Sequence, residues 1–300
     1  MEPLFEHRME FAGYETRVLE LEGRGDPIVL LHGWSDSADT WRCVLAQLGR
    51  QERRAIAVDM PGFGTADPLA DGPMLPQLDE FGAAVLAYAG AGGAPPPKAG
   101  ARNGRRKASR GIVVGNSLGG CAALRLAERE PERVGRVVAL APAGLDMARW
   151  LALIEHDHVL RALVQVPVPL PSRVVQNAVA RAYRSLAFAH PQAVEPGVVR
   201  AFAKHHPDRA ALARMLASGR RLLPELHDPF DFDAIRCQVL LVWGDRDRLV
   251  FHRGAKRLLA AVEGSRLELL ERCGHSPQIE YPERVVELLL TDDVPLAQAA

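Results

Sequence analysis

The four cysteines, Cys43, Cys121, Cys237 and Cys273, are scattered, with no CxxC pair and no zinc-like spacing. That argues against a disulfide framework or a structural metal site and fits reduced, small, mostly buried side chains of a cytoplasmic protein. Charge of one sign is also lacking: 37 basic and 37 acidic residues cancel, so no global field draws the chain to nucleic acid or an anionic membrane. No run approaches the roughly 20 apolar residues that would span a bilayer. The opening residues Met1 to Arg8 carry acidic side chains where a signal peptide would need an apolar core. These absences describe a soluble chain without a membrane span, large enough at 300 residues to bury a sizeable core.

What is present is a rhythm of short apolar runs that end in glycine or proline. They are Ile28 to Leu31, Ala55 to Val58, Ile112 to Val114, Val137 to Leu140 and Val239 to Trp243. Runs that are apolar throughout, rather than alternating, predict strands of a parallel sheet buried on both faces. Helical patterns between them predict right-handed βαβ crossovers. Arg8 to Phe11 and Thr16 to Leu21, around Ala12-Gly13-Tyr14, predict an antiparallel hairpin at one edge. Arg266 to Leu270 alternates and predicts the opposite edge.

Two segments interrupt the rhythm. Residues 91–110 hold six basic residues, no acidic ones and no large apolar side chain. Such a segment cannot form a core and is expected to be a mobile loop. One short basic cluster on a neutral chain favours that reading over a nucleic-acid surface. Residues 145–229 contain no β-run, but they contain helix-forming stretches at 147–164, 173–188 and 209–223. The expected organisation is a core of 1–144 and 230–300 with a helical cap at 145–229, placed over the carboxyl ends of the strands.

Gly115-Asn116-Ser117-Leu118-Gly119 follows one predicted strand and opens a predicted helix. A glycine-rich strand-to-helix turn can have that composition. It is also the context of a nucleophile elbow, in which the serine is exposed at the sheet's mouth and a helix N-terminus faces the same point. A hydroxyl needs a base within hydrogen-bond reach, oriented by a third group. His275 stands beyond the last predicted strand beside Gly274, and Asp245 or Asp247 after Trp243-Gly244 offers the acid. His156, His158, His205 and His206 read as solvated helix faces, because no further ligands lie at metal spacing. An oxyanion needs donors: the N–H of Leu118, directly after the serine, and that of Trp34, where His32-Gly33 turns the backbone inward. Trp41 reads as a core aromatic.

Together "LHGW", "VDMPGFG", "GNSLGG", "WGDRD" and "CGHSPQIEYPERV" resemble the α/β-hydrolase superfamily, in its cap-bearing branch and in the family's order. The resemblance implies an α/β-hydrolase fold, a mostly parallel central sheet flanked by helices with an inserted helical cap. It implies Ser117 as nucleophile, His275 as base, Asp247 rather than Asp245 as its orienter, and Trp34 and Leu118 as oxyanion donors. Asp146 is a further candidate acid, since some relatives recruit theirs after the preceding strand. Val250 stands where the family usually has proline, a departure expected to affect a loop and not the chemistry. Serine at 117 excludes the aspartate-dependent dehalogenases and epoxide hydrolases. Leu118 departs from the tryptophan usual in proline iminopeptidases. The expected activity is hydrolysis of an apolar small-molecule carboxylic ester through an acyl-enzyme, with no metal and no cofactor. Carbon–carbon bond hydrolysis of the meta-cleavage-product type is the alternative. A ligand receptor that keeps the triad but hardly turns over is another, and steady-state turnover on p-nitrophenyl esters separates it.

Overall fold

The computed structural model describes residues 4–91, 110–151 and 171–291. Its centre is a sheet of eight strands in the order β1-β2-β4-β3-β5-β6-β7-β8. The strands are β1 (Leu4–Phe11), β2 (Tyr14–Leu21), β3 (Arg24–Leu31), β4 (Arg53–Val58), β5 (Gly111–Asn116), β6 (Val134–Leu140), β7 (Gln238–Gly244) and β8 (Arg266–Leu270). Strands β3 to β8 run parallel, and β1 and β2 are the antiparallel edge hairpin. Phe11 pairs with Tyr14 across a two-residue turn in which Ala12 and Gly13 both have positive φ. That turn carries the twist hairpins favour.

The uniformly apolar strands have a direct cause. Val29, Leu31, Val113, Val137 and Leu241 fill the core on one face of the sheet, under α2 (Met74–Gly90) and α3 (Leu118–Arg129). Their neighbours Ile28, Leu30, Val114, Val138 and Leu240 fill the core on the other. Helix α1 (Arg42–Arg50) and the last helix (Pro282–Leu290) cover that second face. Successive side chains point to opposite faces, so a sheet covered twice needs apolar residues at every position. Trp41 is fully buried among them, as expected.

Between β6 and β7 the described residues form three helices and no strand: α4 (Ser172–Ala187), α5 (Pro196–Lys204) and α6 (Arg209–Glu225). Tyr183 of α4 stacks on Phe202 of α5, the ring centroids 3.8 Å apart and the rings nearly parallel. The expected helix at 147–164 is described only at its start. There Met147 bridges to Val250 and residues 149–151 make a short 3-10 turn instead of an α-helical one. The rest of that stretch, His156 and His158 included, and nearly all of the expected loop at 91–110 lie outside the described residues. No helix among the described residues is long and apolar enough to cross a membrane.

The strand order changes direction at β3: β4 lies on one side of it and β5 on the other. In open α/β sheets a crevice forms at such a point, outside the strands' carboxyl ends. The segments after β3 and β5 are "HGW" and "SLGG".

Candidate functional site

Strand β5 ends at Asn116 and α3 starts at Leu118, so Ser117 alone makes the turn. It does so at φ 54°, ψ −115°, a conformation that costs a non-glycine residue about 1–3 kcal/mol. The glycines around it answer a steric demand. A Cβ on Gly115 would run into the carbonyl of Gly119, and one on Gly119 would strike the carbonyls of Leu31 and His32. Ser117 itself is held by its own backbone: its N–H donates to Leu140 O at 2.9 Å, and its C=O accepts from Cys121 N and Ala143 N. Leu118 is the first helical residue, so its N–H has no partner within the helix.

The loop after β3 comes close to the serine. A Cβ on Gly33 would lie 3.3 Å from Ser117 Cβ. His32 controls this loop. Met60 N–H donates to His32 Nε2 at 2.8 Å, so the ring proton is on Nδ1, which donates to Gly33 O at 2.7 Å. Burial pushes His32 down to about 4, so it stays neutral in this role. In a trans peptide the C=O and the following N–H point in opposite directions. With the Gly33 carbonyl drawn toward His32, the Trp34 N–H is turned away from that ring.

His275 follows β8, and Asp247 follows β7. His275 Nδ1 and Asp247 Oδ2 are 2.7 Å apart, with both side chains buried. The other oxygen, Asp247 Oδ1, accepts from Leu249 N at 2.8 Å and Val250 N at 3.1 Å. The departure at 250 is therefore more than a loop detail, because a proline there would have no N–H for the carboxylate. Asp245 is exposed and takes Cys273 N at 3.3 Å, and Asp146 pairs with Arg253. Of the three candidate acids, only Asp247 meets the ring. His275 N–H donates to Ala187 O at 2.8 Å, at the end of α4. Glu280 fastens the same place: its carboxylate accepts from Gly274 N at 2.5 Å and Ala189 N at 2.9 Å.

Ser117, Leu118, Trp34 and His275 all line one cavity of about 400 Å³. Its remaining wall is largely apolar and comes from α4 and α6, with Val179, Leu186, Met215 and Leu222 among its residues, and from Met147 and Val250. Helix α6 is tied to the loop after β3, since Trp34 Nε1 donates to Ser218 Oγ at 3.0 Å. His206, just beyond α5, reaches Ser35 Oγ at 2.9 Å and Ser35 O at 3.1 Å. A carbonyl only accepts, so His206 Nε2 carries a proton. This corrects the expectation of a solvated face, because His206 is buried against the loop beside Trp34. No group of His, Cys, Asp or Glu among the described residues could hold a metal ion.

Sequence reasoning passed over Asp36, a buried carboxyl on the cavity wall. Burial raises it to about 7, opposed by hydrogen bonds from Ser37 N–H and the Thr40 hydroxyl. Nothing in "WSDSADTW" marks one aspartate as buried. An acid raised from 3.8 to about 7 holds its proton more tightly in the folded chain than in the unfolded one. Its burial therefore costs stability above pH 7 and progressively less as pH falls toward 4. Asp36→Asn should raise Tm over the parent at about pH 8.5. The gap should close as pH falls through 7, by up to about 1.4 kcal/mol per pH unit. Thermal melts across that range that show a constant gap would mean the carboxyl titrates normally.

A parallel-rich sheet, a serine elbow at its switch point and a His–Asp pair beside it define a hydrolase of the α/β class. Residues 28–288 match the Alpha/beta hydrolase family, and the chain belongs to it. It is similar to a 2-hydroxy-6-oxo-2,4-heptadienoate hydrolase of Pseudomonas putida, 30% identical over 94% of each chain. It is also similar to a monoacylglycerol lipase of Homo sapiens, 24% identical over 89% of this chain and 75% of that one. Among solved structures, Cfl2 from Burkholderia cenocepacia superposes with a TM-score of 0.74 at 20% identity, over 95% of this chain and 94% of that one.

Proposed function

We propose that this hydrolase cleaves apolar carboxylic esters through an acyl-enzyme on Ser117. The observation that carries the reading is the placement of Ser117, at φ 54°, and the His275–Asp247 pair on the wall of one apolar cavity. In this reading His275 Nε2 takes the Ser117 hydroxyl proton as Oγ attacks the ester carbonyl carbon. The oxyanion that forms is met by the N–H groups of Trp34 and Leu118. The C–O bond to the alcohol breaks as His275 returns the proton to the leaving oxygen. Water then attacks the acyl-enzyme with the same base, which releases the acid and restores the serine. Asp247 holds the imidazole with its proton on Nδ1 and stabilises the imidazolium. Helices α4 to α6 act as the cap that shapes the acyl site.

The second reading, carbon–carbon bond hydrolysis, is favoured by the likeness to the heptadienoate hydrolase. The cavity's electrostatics weigh against it. The substrate in that relative's name is a carboxylate, whereas the described lining residues include the acid Asp36 and no lysine or arginine. Burying an unpaired anion costs several kcal/mol. The test is kcat/KM for p-nitrophenyl esters from acetate upward beside 2-hydroxy-6-oxo-2,4-heptadienoate. We expect kcat/KM on esters to rise by up to about fourfold per added methylene until the cavity is filled. The best ester should exceed the dienoate by at least about a hundredfold. A dienoate that outruns every ester would establish the second reading, and no turnover of either would favour a receptor.

A further inference from the structure

The end of β5, the 3-10 turn Ala38–Trp41 and the short helix Pro277–Glu280 meet beneath the candidate site through a chain of buried side chains that the mechanism above does not use. Gln278, fully buried, donates through Nε2 to Thr40 Oγ1 at 3.1 Å and to Asn116 Oδ1 at 3.1 Å. Asn116, also buried, donates through Nδ2 to His275 O at 2.9 Å and to Leu140 O at 3.2 Å. The Thr40 hydroxyl, having accepted from Gln278, gives its one proton to the Asp36 carboxyl. Every donor has one direction it can take. The Gln278 amide nitrogen sits between two oxygens, and its own Oε1 is left buried without a partner. A buried unsatisfied carbonyl is a cost that an apolar side chain of the same size would avoid.

We propose that Gln278 and Thr40 are positioning residues for the serine chemistry, locking the Asn116 amide so that it holds the His275 backbone at a fixed distance from Ser117. The proposal rests on the assignment of Ser117 and His275 made above. The geometry gives the reason. Asn116 directly precedes Ser117, so its bond to His275 O is a strut between the serine's strand and the histidine's loop. On the other side, His275 N–H is held by Ala187 O. The imidazole therefore hangs from a residue whose backbone is held on both sides, at its N–H by Ala187 and at its C=O by Asn116. Without the Gln278 donor, Asn116 Oδ1 is buried and unpaired, and the amide gains by rotating toward another donor. That rotation removes the donor from His275 O. Thr40 sets Gln278 in turn and ties the assembly to the loop that carries Trp34.

Gln278→Met keeps the volume and removes both donors, and Thr40→Val keeps the shape and removes the hydroxyl. Each should lower kcat for ester hydrolysis by roughly 10- to 100-fold, the scale of a misplaced base, while KM stays within about twofold, because neither residue lines the acyl cavity. Thr40→Ser restores the hydroxyl and should recover kcat to within about threefold. The double variant should lose no more than the weaker single variant, since one network is broken once. Rates are taken per fluorophosphonate-titrated site, so that unfolded protein does not count, and Gln278→Met decides if Thr40→Val fails to fold. Unchanged kcat in a folded Gln278→Met variant, or equal losses in Thr40→Ser and Thr40→Val, would overturn the proposal. Full activity in Ser117→Ala would instead bring down the reading beneath it.

Discussion

Ser117→Ala should abolish ester hydrolysis, with a loss of at least about four orders of magnitude in kcat, the scale seen when a triad member is removed from serine hydrolases. The fold should survive. The side chain is only partly buried, and the hydrogen bonds that hold residue 117 run through its backbone N–H and C=O. Alanine keeps the strain of φ 54°, so Tm should stay close to that of the parent. Ser117→Gly should be equally inactive and more stable, by roughly 1 kcal/mol, because glycine adopts positive φ without a Cβ penalty. An inactive variant that gains stability would mark the serine's conformation as one kept for chemistry. Equal melting of the serine, alanine and glycine forms would show that the turn stores no strain.

Asp247→Asn should lower kcat by roughly two to four orders of magnitude. An asparagine can still accept the Leu249 and Val250 N–H groups through its Oδ1. Its other terminus is then an NH₂ facing His275 Nδ1, which forces the ring proton onto Nε2 and removes the base. Asp245→Asn and Asp146→Asn should be mild, because the first loses only a 3.3 Å bond to Cys273 N and the second an ion pair with Arg253. Steady-state kinetics on all three settle the acid. Near-normal turnover in Asp247→Asn beside a collapse in either of the others would reassign it.

The sheet was legible because its strands are covered on both faces, which forces unbroken apolar runs such as Val137 to Leu140 and Val239 to Trp243. The observed strands extend each run by a few residues, since strand ends such as Arg53 and Gln238 are partly or fully exposed and carry no apolar signal. The elbow was legible because its glycines are a steric requirement, and His275 because it stands beside a glycine in the turn that comes after the last strand, β8 (Arg266–Leu270). Helix α5 was not foreseen. It is nine residues long, shorter than the window of roughly 11–18 residues over which a helical repeat declares itself. The burial of His206 and Asp36 depends on what packs above them, which no local pattern encodes. Gln278 was invisible for a similar reason: an amide between His275 and Glu280 looks like any surface residue until Thr40 and Asn116 are brought beside it. Val250 shows the limit of motif reasoning. A departure expected to affect only a loop supplies an N–H to Asp247 Oδ1.

Peptide mapping of the parent protein after treatment with a fluorophosphonate tests the central claim most directly. The reagent's phosphorus is attacked by an activated hydroxyl and fluoride leaves, so the label stays on the nucleophile. A single adduct on the peptide carrying Gly115 to Gly120, fragmenting to Ser117, with activity lost in proportion to labelling, is the expected result. Labelling of another residue with equal loss of activity, or complete labelling of Ser117 with activity retained, would contradict it.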